Sequence, residues 1–319
     1  MAAEHFADRL FDAVQRKRSQ LVVGLDPRIP QLPPAVLDEA VREHGRGAKA
    51  AACAIVQFNR GVLDAVGDAA VAVKIQIAFY ECLGREGMAA YARTIEDARG
   101  RGLIVIGDVK RNDIGNTAEA YALAHLAGPA TDEWPAASDF HVDAVTVNPL
   151  FGSDGVKPFI VRAVQGGCGV FVLVRTSNPS SREIQDLDCG GMPLHVRIAE
   201  MVERWGSENV GRSGYSMLGA VVGATFPGHL RTLREVMPHA PLLVPGFGAQ
   251  GGDVGDVKAA FDPGGSGAIV VSARAIIFAW EREPYASKWG AGKWQDAVRA
   301  AAEDTRAAIW KATHRRRAP

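Results

Sequence analysis

The chain has 319 residues, 47% of them hydrophobic, enough for a large core in one big α/β domain or two smaller ones. Its 36 basic and 36 acidic residues cancel to a formal net charge of zero, which argues against nucleic-acid or membrane-surface binding, since both need a basic excess. Four scattered cysteines (Cys53, Cys82, Cys168, Cys189) without C-x-x-C spacing argue against a zinc site or disulfide scaffold, and no run reaches the ~18 apolar residues that span a bilayer.

In chain order, Phe6, Leu10, Phe11 and Val14 mark a first helix. With Glu4 and Asp8 among them, these residues do not read as a secretory signal, so a cytoplasmic, reducing setting is expected. Eight apolar runs follow as candidate strands: Leu21–Leu25, Ala72–Ile77, Leu103–Asp108, Ala144–Asn148, Val170–Val174, Leu218–Val222, Pro241–Val244 and Ala268–Val271. Most are continuous in Val, Ile and Leu, as strands covered on both faces should be. Between them lie amphipathic helical patterns. Ala50–Val66 aligns Ile55, Phe58, Val62 and Val66, and Gly87–Arg99 aligns Met88, Tyr91, Ile95 and Ala98. Cys53 and Cys82 fall in helix-like segments and read as small buried residues. Trp294, Val298 and Ile309 mark a closing helix, and His314 to Arg317 read as a frayed, solvated tail.

Eight strand–helix repeats indicate an α/β fold, a (β/α)₈ TIM barrel with inserted loops and an N-terminal helix, as one domain over residues 1–319. A doubly wound sheet is the alternative. It would usually carry a Gly-rich fingerprint after its first strand, where this chain has Asp26-Pro27-Arg28. The surplus length falls in Gly128–His141 and Arg175–Tyr215, the latter with a helix near His195–Arg204.

In such barrels the chemistry sits at the C-terminal strand ends. Those ends offer Asp26, then Lys74, then Asp108 with Lys110 and Asp113, then Asn148. They continue with Thr176-Ser177-Asn178-Pro179, Thr225, the run Pro245 to Asp253, and Ser272-Ala273-Arg274. A strand's period of two places Asp108 and Lys110 on one face. A structural ion pair at a strand end is the plain explanation of that spacing alone. Lys74, which interrupts an apolar strand and needs an anionic partner, favours a joint site. Asp26 equally suits a cap before Pro27, and Ser177-Asn178-Pro179-Ser180 equally suits a turn. Gly246, Gly248, Gly251 and Gly252 let backbone N–H groups surround an anion, with Arg274 close by to add a bidentate fork. Arg28, Arg175 and Arg182 are further candidates to close on a phosphate. His125, His141, His195 and His229 show no metal-ligand spacing and read as surface or core histidines.

The run Asp108-Val109-Lys110-Arg111-Asn112-Asp113-Ile114-Gly115-Asn116-Thr117 resembles the active-site signature of the orotidine 5′-phosphate decarboxylase family. Pro245 to Asp253 is similar to that family's phosphate loop, and the likeness extends from about Leu21 to Phe278. The long Arg175–Tyr215 segment and Val145 to Gly152 look like its longer bacterial branch, common in actinobacteria. The resemblance implies cofactor-free, metal-free decarboxylation of orotidine 5′-monophosphate to uridine 5′-monophosphate in pyrimidine synthesis, by a cytoplasmic homodimer with shared active sites. It implies that Lys110 protonates C6, Asp108 faces the departing carboxylate, and Lys74 holds the array and contacts the ribose. Asp26 would bind a ribose hydroxyl and Ser177 the pyrimidine, while Asp113 and Thr117 reach the neighbouring subunit's site. Gln250 and Arg274 would hold the phosphate, beside Gly246, Gly248 and Ala273. Two alternatives are a Mg²⁺-dependent sugar-phosphate aldolase or decarboxylase sharing D-x-K-x-x-D, and a non-catalytic phosphate-ligand barrel.

Overall fold

The eight apolar runs become eight parallel strands: β1 (Leu21–Leu25), β2 (Ala72–Gln76), β3 (Ile104–Arg111), β4 (Ala144–Val147), β5 (Gly169–Arg175), β6 (Leu218–Val222), β7 (Leu242–Val244) and β8 (Ala268–Ser272). They pair in sequence order, and β8 closes on β1 through Leu21↔Val270 and Val23↔Ser272. The result is a closed parallel barrel, not an open doubly wound sheet. The computed structural model describes residues 4–130, 138–225, 227–246 and 254–314. Phe247 to Asp253 of the seventh-strand loop, residues 131–137 of the first insertion and Arg315 to Arg317 lie outside these.

The continuous hydrophobicity of the strands follows from their position. β1, β4, β6 and β8 are buried at every residue, inside against other strands and outside against helices. The helix Ala48–Val66 buries Ile55, Phe58, Val62 and Val66, and packs through Phe58 on Trp294 of the closing helix Trp294–Thr313. The helix Gly84–Arg99 buries Tyr91, Ile95 and Ala98, with Met88 at its edge. A helix not expected from the sequence, Pro34–His44, precedes Ala48–Val66; only Val36 and Ala40 of it are buried.

The first helix, Phe6–Lys17, lies across the N-terminal end of the barrel. The Phe6 ring meets Phe171 edge-on at 5.9 Å and fills the space where a Cβ on Gly169 would sit, 2.3 Å from the ring. Arg9 ties the same end to Asp143, just before β4, at 2.7 Å. With one end closed this way, the opposite end remains for the site.

Three expectations need correction. Cys82 is exposed, not buried, because the helix it follows, Ala78–Glu81, turns only its Tyr80 inward. His314 is not frayed: its ring stacks on Trp310, centroids 3.5 Å apart. β3 continues three residues past Asp108, so Lys110 belongs to the strand and not to the loop after it.

Candidate active site

The C-terminal strand ends surround a cavity of about 490 Å³. Asp26 enters it after β1, Lys74 and Gln76 from β2, and Asp108 and Lys110 from β3. Thr146 enters from β4, Thr176, Ser177 and Asn178 after β5, Gly246 after β7, and Ala273 and Arg274 after β8. Leu173, Val221, Leu243 and Val271 give the cavity an apolar floor. Charged groups on one wall over an apolar floor are how a small-ligand site is usually built.

Asp108 is the hub of the charged wall. Lys74 Nζ donates to its Oδ2 at 2.5 Å and Lys110 Nζ to its Oδ1 at 2.5 Å. Gln76 Nε2 donates to Oδ2 at 3.1 Å and Thr146 Oγ1 to Oδ1 at 3.0 Å, so the buried carboxylate takes four donors. Asp26 extends the chain of charges, with Oδ1 3.8 Å from Lys74 Nζ. Burial alone would push the Asp108 carboxyl up, but Lys74 and Lys110 outweigh it and hold the group well below the usual carboxylate range. Burial alone would likewise push Lys74 down, yet Asp108 and Asp26 hold it above the ordinary lysine value. Both groups therefore stay ionised at neutral pH. Lys110 differs in access: its side chain is 44% exposed against 8% for Lys74. The buried lysine braces the carboxylate, and the accessible one faces whatever enters.

The backbone is bent to achieve this. β3 pairs with β4 through Gly107↔Val145 and then Arg111↔Val147. Asp108, Val109 and Lys110 thus face the single residue Thr146, a bulge in β3. Lys110 takes the left-handed conformation, φ 46°, which costs a non-glycine residue on the order of 1–2 kcal/mol. Such strain persists where the surroundings enforce it, typically at functional sites.

Among the sequence-derived candidates, the fold brings Asp26, Lys74, Asp108, Lys110, Ser177, Gly246, Ala273 and Arg274 around one cavity. Gly248 and Gln250 lie outside the described residues. Asp113 and Thr117 do not line this cavity. Asp113 is half-buried and accepts from the Ile114 N–H at 2.8 Å, while Thr117 is exposed on the following helix, Gly115–His125. Asn148 turns away to accept from the Leu150 N–H. Two polar residues that donate to Asp108 in the cavity had no assigned role, Gln76 and Thr146. Gln76 was within reach of sequence reasoning, since it is two residues past Lys74 and so shares its face. Thr146 was not, because its partnership with Asp108 and Lys110 depends on the bulge.

Arg175, one of the further arginine candidates, does not line the cavity: β5 carries an irregularity between Leu173 and Arg175, and the side chain turns away. The guanidinium is fully buried, donating to Ser181 Oγ (2.7 Å), Gln185 Oε1 (3.1 Å) and Asp186 Oδ2 (3.1 Å), and through Nε to His229 Nδ1 (3.3 Å). Arg28 and Arg182 also stay off the cavity wall, leaving Arg274 as the arginine in place among the described residues. Asp186, His195 and His229 form the one cluster with metal-ligand side chains among the described residues. The two rings stack, centroids 4.8 Å apart, and Arg175 already occupies Asp186 and His229 Nδ1. A guanidinium in that position opposes a second cation, so the cluster reads as a hydrogen-bonded brace.

The profile of the Orotidine 5′-phosphate decarboxylase / HUMPS family matches residues 19–288. The chain belongs to this family. It is 46% identical over 296 residues to the orotidine 5′-phosphate decarboxylase of Rhodopirellula baltica, covering 93% of this chain and 96% of that one. It is 39% identical over 277 residues to the Caldicellulosiruptor saccharolyticus protein of the same name, covering 87% and 90%. Among solved structures, the OMP decarboxylase of Leishmania donovani superposes with a TM-score of 0.71 at 29% identity, covering 97% of this chain and 99% of that one. The Asp108–Lys110 bulge and its cavity lie within the span matched by the family profile.

Proposed function

We propose that the chain decarboxylates orotidine 5′-monophosphate to uridine 5′-monophosphate and CO₂, in de novo pyrimidine synthesis. The observation that carries this is the Lys74–Asp108–Lys110 array with Lys110 open to the cavity, in a chain of this family. When the bond from C6 to the carboxylate breaks, the electron pair stays on C6 in the ring plane, where no π system accepts it. The Lys110 ammonium, oriented by Asp108, faces that developing charge, stabilises it, and then transfers a proton to C6. Asp108, beside the substrate carboxylate, favours its departure as neutral CO₂. Lys74 keeps Asp108 ionised and fixed, and with Asp26 meets the ribose. Ser177 reads the pyrimidine edge. Arg274, with the Gly246 end of the seventh-strand loop and Ala273, holds the phosphate, whose binding energy positions the ring. Gly248 and Gln250 complete that phosphate site.

No cofactor is needed in this scheme. Both carboxylates on the charged wall, Asp26 and Asp108, are engaged by Lys74, which disfavours the Mg²⁺-dependent alternative. We take residues 1–319 as one cytoplasmic catalytic domain acting as a homodimer with shared sites. Zero net charge agrees with a small-molecule substrate and no nucleic-acid partner, and no helix among the described residues is long and apolar enough to cross a membrane. The dimer is supported by exposed apolar side chains beside Asp113: Ile114 (55% exposed) and Val161 (47%) line one groove, with Leu150 and Phe151 nearby in sequence to its wall. Asp113 and Thr117 would then serve the partner's cavity.

Loss of orotidine 5′-monophosphate absorbance, with Lys110→Ala as control and EDTA in a parallel assay, tests the reaction. No turnover by the unaltered protein would sink the reading. Mixing Lys110→Ala with Asp113→Ala subunits tests the shared site. One hybrid site regains both groups, so activity should return, and pure heterodimers that stay inactive would refute it.

A further inference from the structure

We propose that Thr146 is a positioning residue for the proton-donating lysine, acting through the backbone bulge that presents it. The inference rests on the decarboxylase reading and adds to it a residue that acts on the Lys110 backbone and on Asp108 and not on Lys110 Nζ directly.

Three residues of β3 face one residue of β4, so the regular ladder is interrupted at Lys110, and its N–H donates to a side chain of β4. Thr146 Oγ1 accepts it at 3.0 Å. A hydroxyl that accepts from an N–H must direct its own hydrogen elsewhere, and here it donates to Asp108 Oδ1 at 3.0 Å. That same oxygen accepts Lys110 Nζ at 2.5 Å. One hydroxyl thus fixes both ends of the lysine: its backbone, held at φ 46°, and the carboxylate that aims its ammonium. The polarity of the hydroxyl is set by its surroundings, because the amide can only donate and the ionised carboxylate can only accept.

The location suits such a role. Thr146 is 1% exposed, so no water competes for its hydroxyl, yet it lines the cavity wall beside the reacting groups. Its β-branch limits χ1, which holds the hydroxyl in one direction. Without the hydroxyl, the Lys110 amide loses its acceptor in a partly buried place and Asp108 Oδ1 loses one donor. The bulge can then relax toward an ordinary φ, carrying Nζ away from the reacting carbon. A displacement of about 1 Å is enough to cost on the order of 10²-fold in rate.

The test compares Thr146→Val, which keeps the shape and removes the hydroxyl, with Thr146→Ser, which keeps the hydroxyl. Thr146→Val should lower kcat about 30-fold or more with KM for orotidine 5′-monophosphate changed less than about threefold, and affinity for the product uridine 5′-monophosphate unaltered. Thr146→Ser should recover kcat to within about threefold of the unaltered protein. Should Thr146→Val fold poorly, Thr146→Ala, which cannot clash, carries the same expectation. A melting temperature that drops while kcat stays would show a merely structural threonine and overturn the proposal. So would a rise in KM with kcat unchanged, or a serine variant as slow as valine. The unaltered protein is assayed alongside: if it fails to turn over, the decarboxylase reading falls, and if it turns over as fast as Thr146→Val, only the role of Thr146 falls.

Discussion

Among the described residues, two regions of strand ends carry a buried cation paired with carboxylate, and they do different work. At β2–β4, Lys74 and Lys110 converge on Asp108 and face the cavity. At β5, Arg175 binds Asp186, Gln185 and Ser181 and faces away from it. Both β3 and β5 depart from regular pairing at the point where this is decided. In β3 the bulge keeps Lys110 pointing inward and leaves it partly exposed. In β5 the irregularity turns Arg175 outward, so that Thr176 and Ser177 come to line the cavity instead. A charged residue at a strand end is therefore not yet a site residue. The local register decides whether it meets the ligand or braces the loop that does.

The contrast is sharpest between the two lysines of the array. Lys110→Ala removes a half-exposed group that the proposed scheme makes the proton donor, so kcat should fall about 10⁴-fold or more with the melting temperature nearly unchanged. Lys74→Met leaves the Asp108 carboxylate with less compensation in a buried place. It should lose activity too, but also about 3–5 kcal/mol of stability, read by urea unfolding. Equal stability losses in the two variants would break the division between the bracing and the reacting lysine.

How much of this was legible beforehand also turns on register. Continuous apolar strands and their order gave the barrel, because burial on both faces leaves a direct imprint on composition. Lys74, Asp108 and Lys110 stood out because charges in such runs are costly unless paired. The placement of Asp26, Ser177, Ala273 and Arg274 followed from strand-end geometry together with the resemblance. Arg175 was left open as a candidate and Thr146 overlooked for one shared reason. Period-two reasoning assumes a regular strand, and a bulge adds residues without marking them in the sequence. The helix Pro34–His44 escaped because it buries only Val36 and Ala40, too weak a stripe to see.

The pH dependence of stability should separate the array from the histidines. Asp108 is held well below the carboxylate range, so its contribution is present above the unfolded value near 4 and is lost only as pH falls below that. Lys74 is held above its ordinary value, so its contribution is present below about 10.4 and is lost as pH rises beyond that. Neither acts between pH 4 and 6.5. His125 does. Burial, then Arg111 and His141, push it down to about 4. The unfolded chain then binds more protons across that window, and stability falls as pH drops through it, by about 3 kcal/mol from this residue. His229 of the Arg175 brace, lowered by burial and by His195 and Arg175, adds in the same direction. His125→Phe should remove its share, about 3 kcal/mol, of the loss between pH 6.5 and 4. An acid limb unchanged in that variant would refute the assignment to His125 and leave the other lowered histidines, His141 and His229, as its source.

The smallest effect tests the brace itself. Gln185 links Arg175 to the cavity loop: its Oε1 accepts from Arg175 Nη1 at 3.1 Å and from the Thr176 N–H at 2.9 Å, and its Nε2 donates to Thr176 Oγ1 at 2.9 Å. Thr176 in turn donates to Asn178 Oδ1 at 2.7 Å, so a single amide orients the segment that carries Ser177. Gln185→Ala should let that segment wander and weaken binding of the pyrimidine, with KM rising about three- to tenfold, roughly one hydrogen bond's worth. The Lys110–Asp108 geometry is across the cavity and shares no partner with Gln185, so kcat should stay within about threefold. Gln185→Glu keeps the acceptor for Arg175 and the Thr176 N–H and loses only the amide donor, so its KM should fall between the two. A collapse of kcat at constant KM in either variant would mean that the β5 loop takes part in the chemical step, and the division between a reacting wall and a braced one would not hold.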